Sequence, residues 1–275
     1  MKRYLVLSAA VLPVIVLSLA SGCVTPDPEH RLNLLSTEEE IQLGEKMSAE
    51  VEKSEKTLNN AAIQTYVRKI GERLADQSPR QDVPYAFTVI DNPEVVNAFA
   101  LPGGHMYIYT GLMKICDNEA QLASVMAHEI GHVAAKHHGE TLTRQMGYQV
   151  LADLILGPSS PQRQRALAQL ATNAVAMHFS RDQEHESDRI GMDILFRAGY
   201  KPEAMVDFMR KMAQYEQENG GGRQPRFLQF FASHPATTDR IANLDALVQR
   251  YPLDLRNQSP TYFDRYKANV LDVLR

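Results

Sequence analysis

The chain has 275 residues, a formal net charge of -4, and 23% charged against 44% hydrophobic residues, which is enough to bury one large or two small cores. No basic run occurs beyond the N-terminus, so the composition argues against a nucleic-acid partner and leaves proteins or peptides as the expected partners. Lys2 and Arg3 precede an apolar run from Tyr4 to Ala20 that closes on Ser21-Gly22-Cys23. A charged start, an apolar centre and small residues at the end predict a signal peptide over residues 1–22. The other reading, a single membrane anchor, is opposed by the shortness of the run and by Pro13 within it.

The Ala20-Ser21-Gly22-Cys23 ending resembles a bacterial lipobox, which implies that Cys23 becomes the lipidated first residue of the mature chain. Val24 follows in place of an inner-membrane retention Asp. The resemblance therefore implies a lipoprotein on the periplasmic side of a bacterial membrane, on the outer membrane, attached through Cys23. Residues 23–35, with Pro26 and Pro28, read as a tether. Cys116 is then the one spare thiol, so no internal disulfide is expected, and its apolar setting Leu112-Met113-Lys114-Ile115 predicts a buried, inert side chain.

Ser36-Thr37-Glu38-Glu39 has capping-box form and predicts a helix to about Lys56. A second helix is expected over 59–77, with Ile63, Tyr66, Val67, Ile70 and Leu74 at helical spacing. The pattern then changes. Tyr85 to Ile90, Asn97 to Ala100 and His105 to Thr110 read as strands, separated by Asp91-Asn92-Pro93 and by Pro102-Gly103-Gly104. These predict a small sheet. Its expected open edge, where an extended peptide adds as a strand, is Gly103-Gly104-His105-Met106-Tyr107; an ordinary hairpin turn at the glycines is equally compatible.

The next helix is expected over 118–138, capped by Asp117 or Asn118, with a stripe of Leu122, Val125, Met126, Ile130 and Val133. It carries His128-Glu129-Ile130-Gly131-His132. Histidines at i and i+4 share one helix face and can converge on a metal ion, with Glu129 beside the ion as a base for the attacking water. The implied chemistry is metal-assisted amide hydrolysis with zinc. His137 and His138 read as residues suited to a helix C-terminus, not as ligands.

A loop is expected over Gly157 to Pro161, preceded by a short helix over 142–156, and a long helix from about Gln162 to Arg197. Within the latter, Glu184 and Asp188 stand at i and i+4 on a stripe with Met177, Arg181, Gly191 and Leu195. Two acids on an apolar stripe are hard to read as a solvated face. Glu184 is the candidate third ligand, with His185 as fallback, and Asp188 can then accept the spare N–H of a liganding histidine. Another helix begins at Pro202-Glu203, and Asn219 to Gly222 reads as a mobile connection.

The H-E-x-x-H helix followed by Glu-x-x-x-Asp in a later helix resembles the gluzincin metallopeptidases. The segments Asn97 to Gly104, Tyr109-Thr110-Gly111-Leu112, Ser180-Arg181, Asp188 to Gly191, and Ser233-His234-Pro235 with Arg240 narrow this to the family of HtpX, the CAAX prenyl protease, BepA and LoiP. The resemblance covers about residues 37–250. It implies an α+β, mainly helical fold, a zincin-type domain over 36–250 with a small sheet beside the H-E-x-x-H helix, and a C-terminal tail over 251–275. It assigns His128, His132 and Glu184 as ligands of one zinc ion per chain, Glu129 as general base, and Asp188 and Arg240 as supporting residues. His234 matches a histidine that can hold the metal's open position; a histidine that only packs at a helix N-terminus before Pro235 is the second reading, and oxyanion stabilisation by His234 or Arg240 the third. The absence of a tetratricopeptide period and of a further span points to the compact lipoprotein type. Expected substrates are misfolded or unassembled envelope proteins. The contrasting expectation is a chaperone-like assembly factor with a closed zinc site.

Overall fold

The computed structural model describes residues 33–219, 230, 233–235 and 237–274. The expected signal peptide, Cys23, most of the tether and the glycines 220–222 lie outside the described residues. Ser36 opens helix α1 (Thr37–Ser54) with both bonds of the capping box, its hydroxyl to the Glu39 N–H and the Glu39 carboxylate to its own N–H. Asn60 caps α2 (Ala61–Ala75).

Strands β1 (Ala86–Ile90), β2 (Ala98–Ala100) and β3 (His105–Tyr109) form a mixed sheet in the order β1-β3-β2. β1 runs parallel to β3, with Phe87 opposite Met106, and β2 antiparallel, with Ala98 opposite Ile108. The expected peptide-accepting edge is corrected here. β3 is the central strand, and both its hydrogen-bonding edges are taken, so His105, Met106 and Tyr107 cannot accept a further strand. Gly103 adopts φ +76, and a Cβ there would lie 2.6 Å from the Ile41 Cα, so this glycine lets the turn close onto α1.

Successive side chains point to opposite faces of the sheet. Phe87, Val89, Ala98, Met106 and Ile108 enter one apolar core with α2, while Phe99, Tyr107 and Tyr109 enter another with α1. A short helix α3 (Thr110–Ile115) leads to α4 (Glu119–Ala134), which lies in the first core with its N-terminus capped by the Asn118 side chain. Cys116 is buried, and burial pushes its thiol pKa up to about 12.

The chain departs from the expected long helices at two points. Lys136 takes a left-handed conformation, φ 60 and ψ 26, so the expected 118–138 helix ends at Ala134 and α5 (His137–Met146) starts in a new direction. Helix α6 (Tyr148–Leu156) follows Gly147. The expected 162–197 helix is two helices, α7 (Pro161–Ala174) and α8 (Arg181–Arg197), because Ser180 forms a second capping box with Gln183.

After α9 (Glu203–Asn219) come α10 (Thr238–Val248), α11 (Leu253–Gln258) and α12 (Phe263–Tyr266), with a π-helical turn Lys267–Leu271. Residues 251–274 read as a polar tail in the sequence, yet Tyr266 and Val270 are fully buried in the first core, and Tyr266 donates to the Met113 carbonyl at 2.6 Å. No helix among the described residues is long and apolar enough to cross a membrane.

Candidate metal centre

Helix α4 presents His128 and His132 on one face, ring centroids 4.7 Å apart and Nε2 atoms 3.1 Å apart. Helix α8 lies unusually close. A Cβ on Gly131 would stand 2.6 Å from the Ser187 hydroxyl, and one on Gly191 would stand 2.9 Å from the Ala127 carbonyl. Only glycine permits this approach, which Ser187 seals by donating to the His128 carbonyl at 2.5 Å. The capping box at Ser180 sets the start of α8 and so places Glu184 in its first turn.

Glu184 thereby reaches both imidazoles, at 3.5 Å from His128 Nε2 and 3.5 Å from His132 Nε2. His234 completes the cluster, with Nδ1 2.9 Å from Glu184 and 3.3 Å from His128 Nε2. The ligand atoms of these four buried residues all lie within 4.8 Å of one another. Nitrogen ligands about 2 Å from a tetrahedral zinc ion stand about 3.3 Å apart, so this spacing suits such an ion.

The electrostatics point the same way. The Nδ1 of His128 lies 3.0 Å from Asp188, whose carboxylate can only accept, so the Nε2 lone pair faces the cluster. Burial alone would lower the His128 pKa, yet Asp188 and Glu184 outweigh it and lift it to about 9. At His132 burial wins and the pKa falls well below its usual value. Burial opposes ionisation of Glu184, but His234 and the two α4 histidines hold its pKa well below the carboxylate range.

Asp188 is itself held by Arg240, whose Nε and NH2 donate to its two oxygens at 2.9 and 2.7 Å. The remaining nitrogen of Arg240 donates to the Pro235 carbonyl at 3.1 Å and lies 2.7 Å from Glu184. All three nitrogens are engaged within the protein, which argues against Arg240 as an oxyanion donor. Glu129 is buried beside the cluster. Its Oε2 accepts the Ala100 N–H at 3.1 Å, while Oε1 has no hydrogen bond and lies 3.4 Å from His234 Nε2. Burial raises its pKa, against the pull of His234 and His128.

His185 faces Asn243 and lies outside the cluster, so the fallback ligand is not brought to the site. Sequence reasoning missed three neighbours. The β2 backbone at Ala100, not β3, meets the site. Phe179, from the break between α7 and α8, stacks on His132 with centroids 4.0 Å apart. His137 lies against His132 with facing Nδ1 atoms 2.9 Å apart. The break was signalled by Ser180 and Gln183; the Ala100 contact depends on long-range packing, and the His137 contact on the left-handed turn at Lys136, which carries no glycine to announce it. A groove of about 970 Å³ lies alongside, lined in part by Tyr109, Leu142, Leu170, Val175 and Met177. Val175 and Met177 also line the small pocket at Glu129 and His234.

A sequence model described as "Peptidase family M48" matches residues 61–248. The chain is 32% identical over 218 residues to the "Beta-barrel assembly-enhancing protease" of Escherichia coli (strain K12), covering 76% of this chain and 44% of that protein. It is 30% identical over 220 residues to the protein of the same name from Yersinia pestis, with the same coverage. To the "Mitochondrial metalloendopeptidase OMA1" of Saccharomyces cerevisiae it is 31% identical over 170 residues, covering 62% of this chain and 48% of that protein. The chain spans about half the length of these curated relatives.

Proposed function

Since the chain belongs to peptidase family M48, we propose that it is a zinc-dependent endopeptidase hydrolysing peptide bonds of misfolded or unassembled cell-envelope proteins. The observation that carries this reading is the convergence of His128, His132, Glu184 and His234 on one point, with the under-bonded carboxylate of Glu129 alongside. A bound zinc ion, one per chain, supplies Lewis acidity to the scissile carbonyl and makes water a usable nucleophile near neutral pH.

His128, His132 and Glu184 would hold the ion. Asp188, fixed by Arg240, keeps His128 in the tautomer whose Nε2 is free to bind. Glu129 is the general base. Because the Ala100 N–H anchors its Oε2, the unbonded Oε1 is the atom that takes and returns the proton, and its raised pKa suits both transfers. The groove of about 970 Å³ shares Val175 and Met177 with the pocket at Glu129 and His234, which supports it as the place for an extended substrate segment.

The relative from Escherichia coli is named for enhancing β-barrel assembly, which supports substrates drawn from the envelope. The signal-peptide pattern and lipobox-like ending support a lipoprotein anchored at Cys23 on the periplasmic side of the outer membrane. Cleavage of an unfolded substrate by wild type and by Glu129→Gln tests the mechanism. The variant should keep one zinc and lose cleavage; equal rates would exclude Glu129 as base.

His234 favours a second reading of the resting state. Its ring lies against the ligand cluster and between the Phe179 and Phe230 rings, so it fills the place a fourth ligand would take. A rise in cleavage in His234→Ala supports a latch. No cleavage by either protein, with substrate binding retained, favours a chaperone-like factor with a closed site.

A further inference from the structure

His137 is buried at the site, yet the hydrolytic reading gives it no task. We infer that His137 is a positioning residue: backed by Glu186, it holds His132 in the tautomer whose Nε2 is free to ligate the metal. This inference rests on the metallopeptidase reading.

His137 Nε2 lies 3.3 Å from the Glu186 carboxylate, and its Nδ1 lies 2.9 Å from His132 Nδ1. A neutral imidazole carries one N–H, and a carboxylate can only accept. The hydrogen of His137 therefore belongs on Nε2, which leaves its Nδ1 as an acceptor. His132 must then donate from Nδ1, and its lone pair is left on Nε2, 3.1 Å from His128 Nε2 and 3.5 Å from Glu184. His128 obtains the same tautomer from Asp188 directly, so the two ligands are oriented by different devices on either side of the cluster.

The backbone gives a second, independent observation. On an unbroken helix, a residue five positions after His132 would be rotated about 140° from it and could not face it. Lys136 stands between α4 and α5 at φ 60, a left-handed conformation that is unfavourable for a residue with a side chain. That turn brings the His137 ring back against His132, with centroids 5.0 Å apart at 68°. Strain of this kind persists where the surrounding structure holds it, and here what it delivers is the contact between the two imidazoles.

Zinc affinity of the full chain, measured by competition with a chromophoric chelator, tests the role without reference to turnover. His137→Leu removes the acceptor and should weaken zinc binding by about 10- to 100-fold, with the circular dichroism of the zinc-free protein unchanged. His137→Asn places a carbonyl oxygen near the position of Nδ1 and should return most of that affinity. Zinc binding by His137→Leu equal to wild type overturns the proposal, as does an Asn variant no better than Leu. A readout without substitution covers the case in which the Leu variant fails to fold. Histidine 15N NMR of the zinc-loaded wild type should show His132 protonated at Nδ1 and His137 protonated at Nε2. A hydrogen on His137 Nδ1 overturns the assignment. If wild type itself binds no zinc, the metallopeptidase reading falls; if it binds and His137→Leu binds equally, only the positioning role does.

Discussion

Glu119 and Glu129 stand on the same helix, and both are buried to within 1% of full exclusion from solvent, yet they are treated in opposite ways. Glu119, in the first turn of α4, accepts from the Tyr66 and Tyr200 hydroxyls and from two nitrogens of Arg265. Every lone pair that the interior hides is matched. Glu129 has one anchored oxygen and one bare oxygen. Leaving a buried polar atom unpaired is costly, so it persists where that atom is needed for something besides the fold. Saturation with partners separates the carboxylate that holds the helix from the one proposed as the general base.

Exchanging each acid for its amide is the sharpest way to break that contrast. Glu129→Gln should cut cleavage by about 10³-fold, or about 4 kcal/mol of transition-state stabilisation, while urea unfolding shows no loss of stability. An unfolding midpoint lowered as far as in the Glu119 variant would abolish the distinction. Glu119→Gln should do the reverse. It should cost about 2 kcal/mol of stability, at the low end for a buried pair because Arg265 is 44% exposed, with cleavage per folded molecule unchanged. His234→Ala sharpens the functional side. Removing the imidazole that lies 3.4 Å from Glu129 Oε1 and against the cluster should raise cleavage by about fivefold, read as initial rates at equal zinc content.

The smallest effect belongs to a third glutamate, Glu39, at the surface. The Ser36 backbone N–H lowers its pKa, outweighing slight burial, with the Ser36 and Tyr148 hydroxyls adding to the shift. A depressed carboxylate contributes stability above its unfolded value of 4.5 that is lost as pH falls through the lower folded value. Glu39→Gln should therefore cost about 0.5 kcal/mol at neutral pH and almost nothing once the pH is taken below the lowered folded pKa of Glu39. An equal cost at both would remove the carboxylate from the account.

What the sequence revealed and concealed follows from the range of the forces involved. Ser36, Asn60, Asn118 and Ser180 act within three residues, so the helix starts were legible from local chemistry. The i and i+4 spacings of His128 with His132 and of Glu184 with Asp188 were legible for the same reason. Pairing across the sheet was not. The central position of β3 depends on β1 and β2 closing on it from both sides, and no single strand encodes its own neighbours. Tyr266 could not be placed either, since its partner carbonyl at Met113 is 153 residues earlier. The left-handed turn at Lys136 has no glycine to announce it.

The reach of the Glu119 clamp has a bearing on how the centre comes into being. His128 meets His234 across 106 residues, and Glu119 meets Arg265 across 146. Contacts at such separations form late, after the entropy of closing long loops has been overcome. As the chain is made from its N-terminus, α4 can coil early, but its contact with His234 and its clamp by Arg265 stay incomplete until those later residues have been made. Glu119 and His128 on α4 are therefore fixed by contacts that local folding of the helix cannot supply.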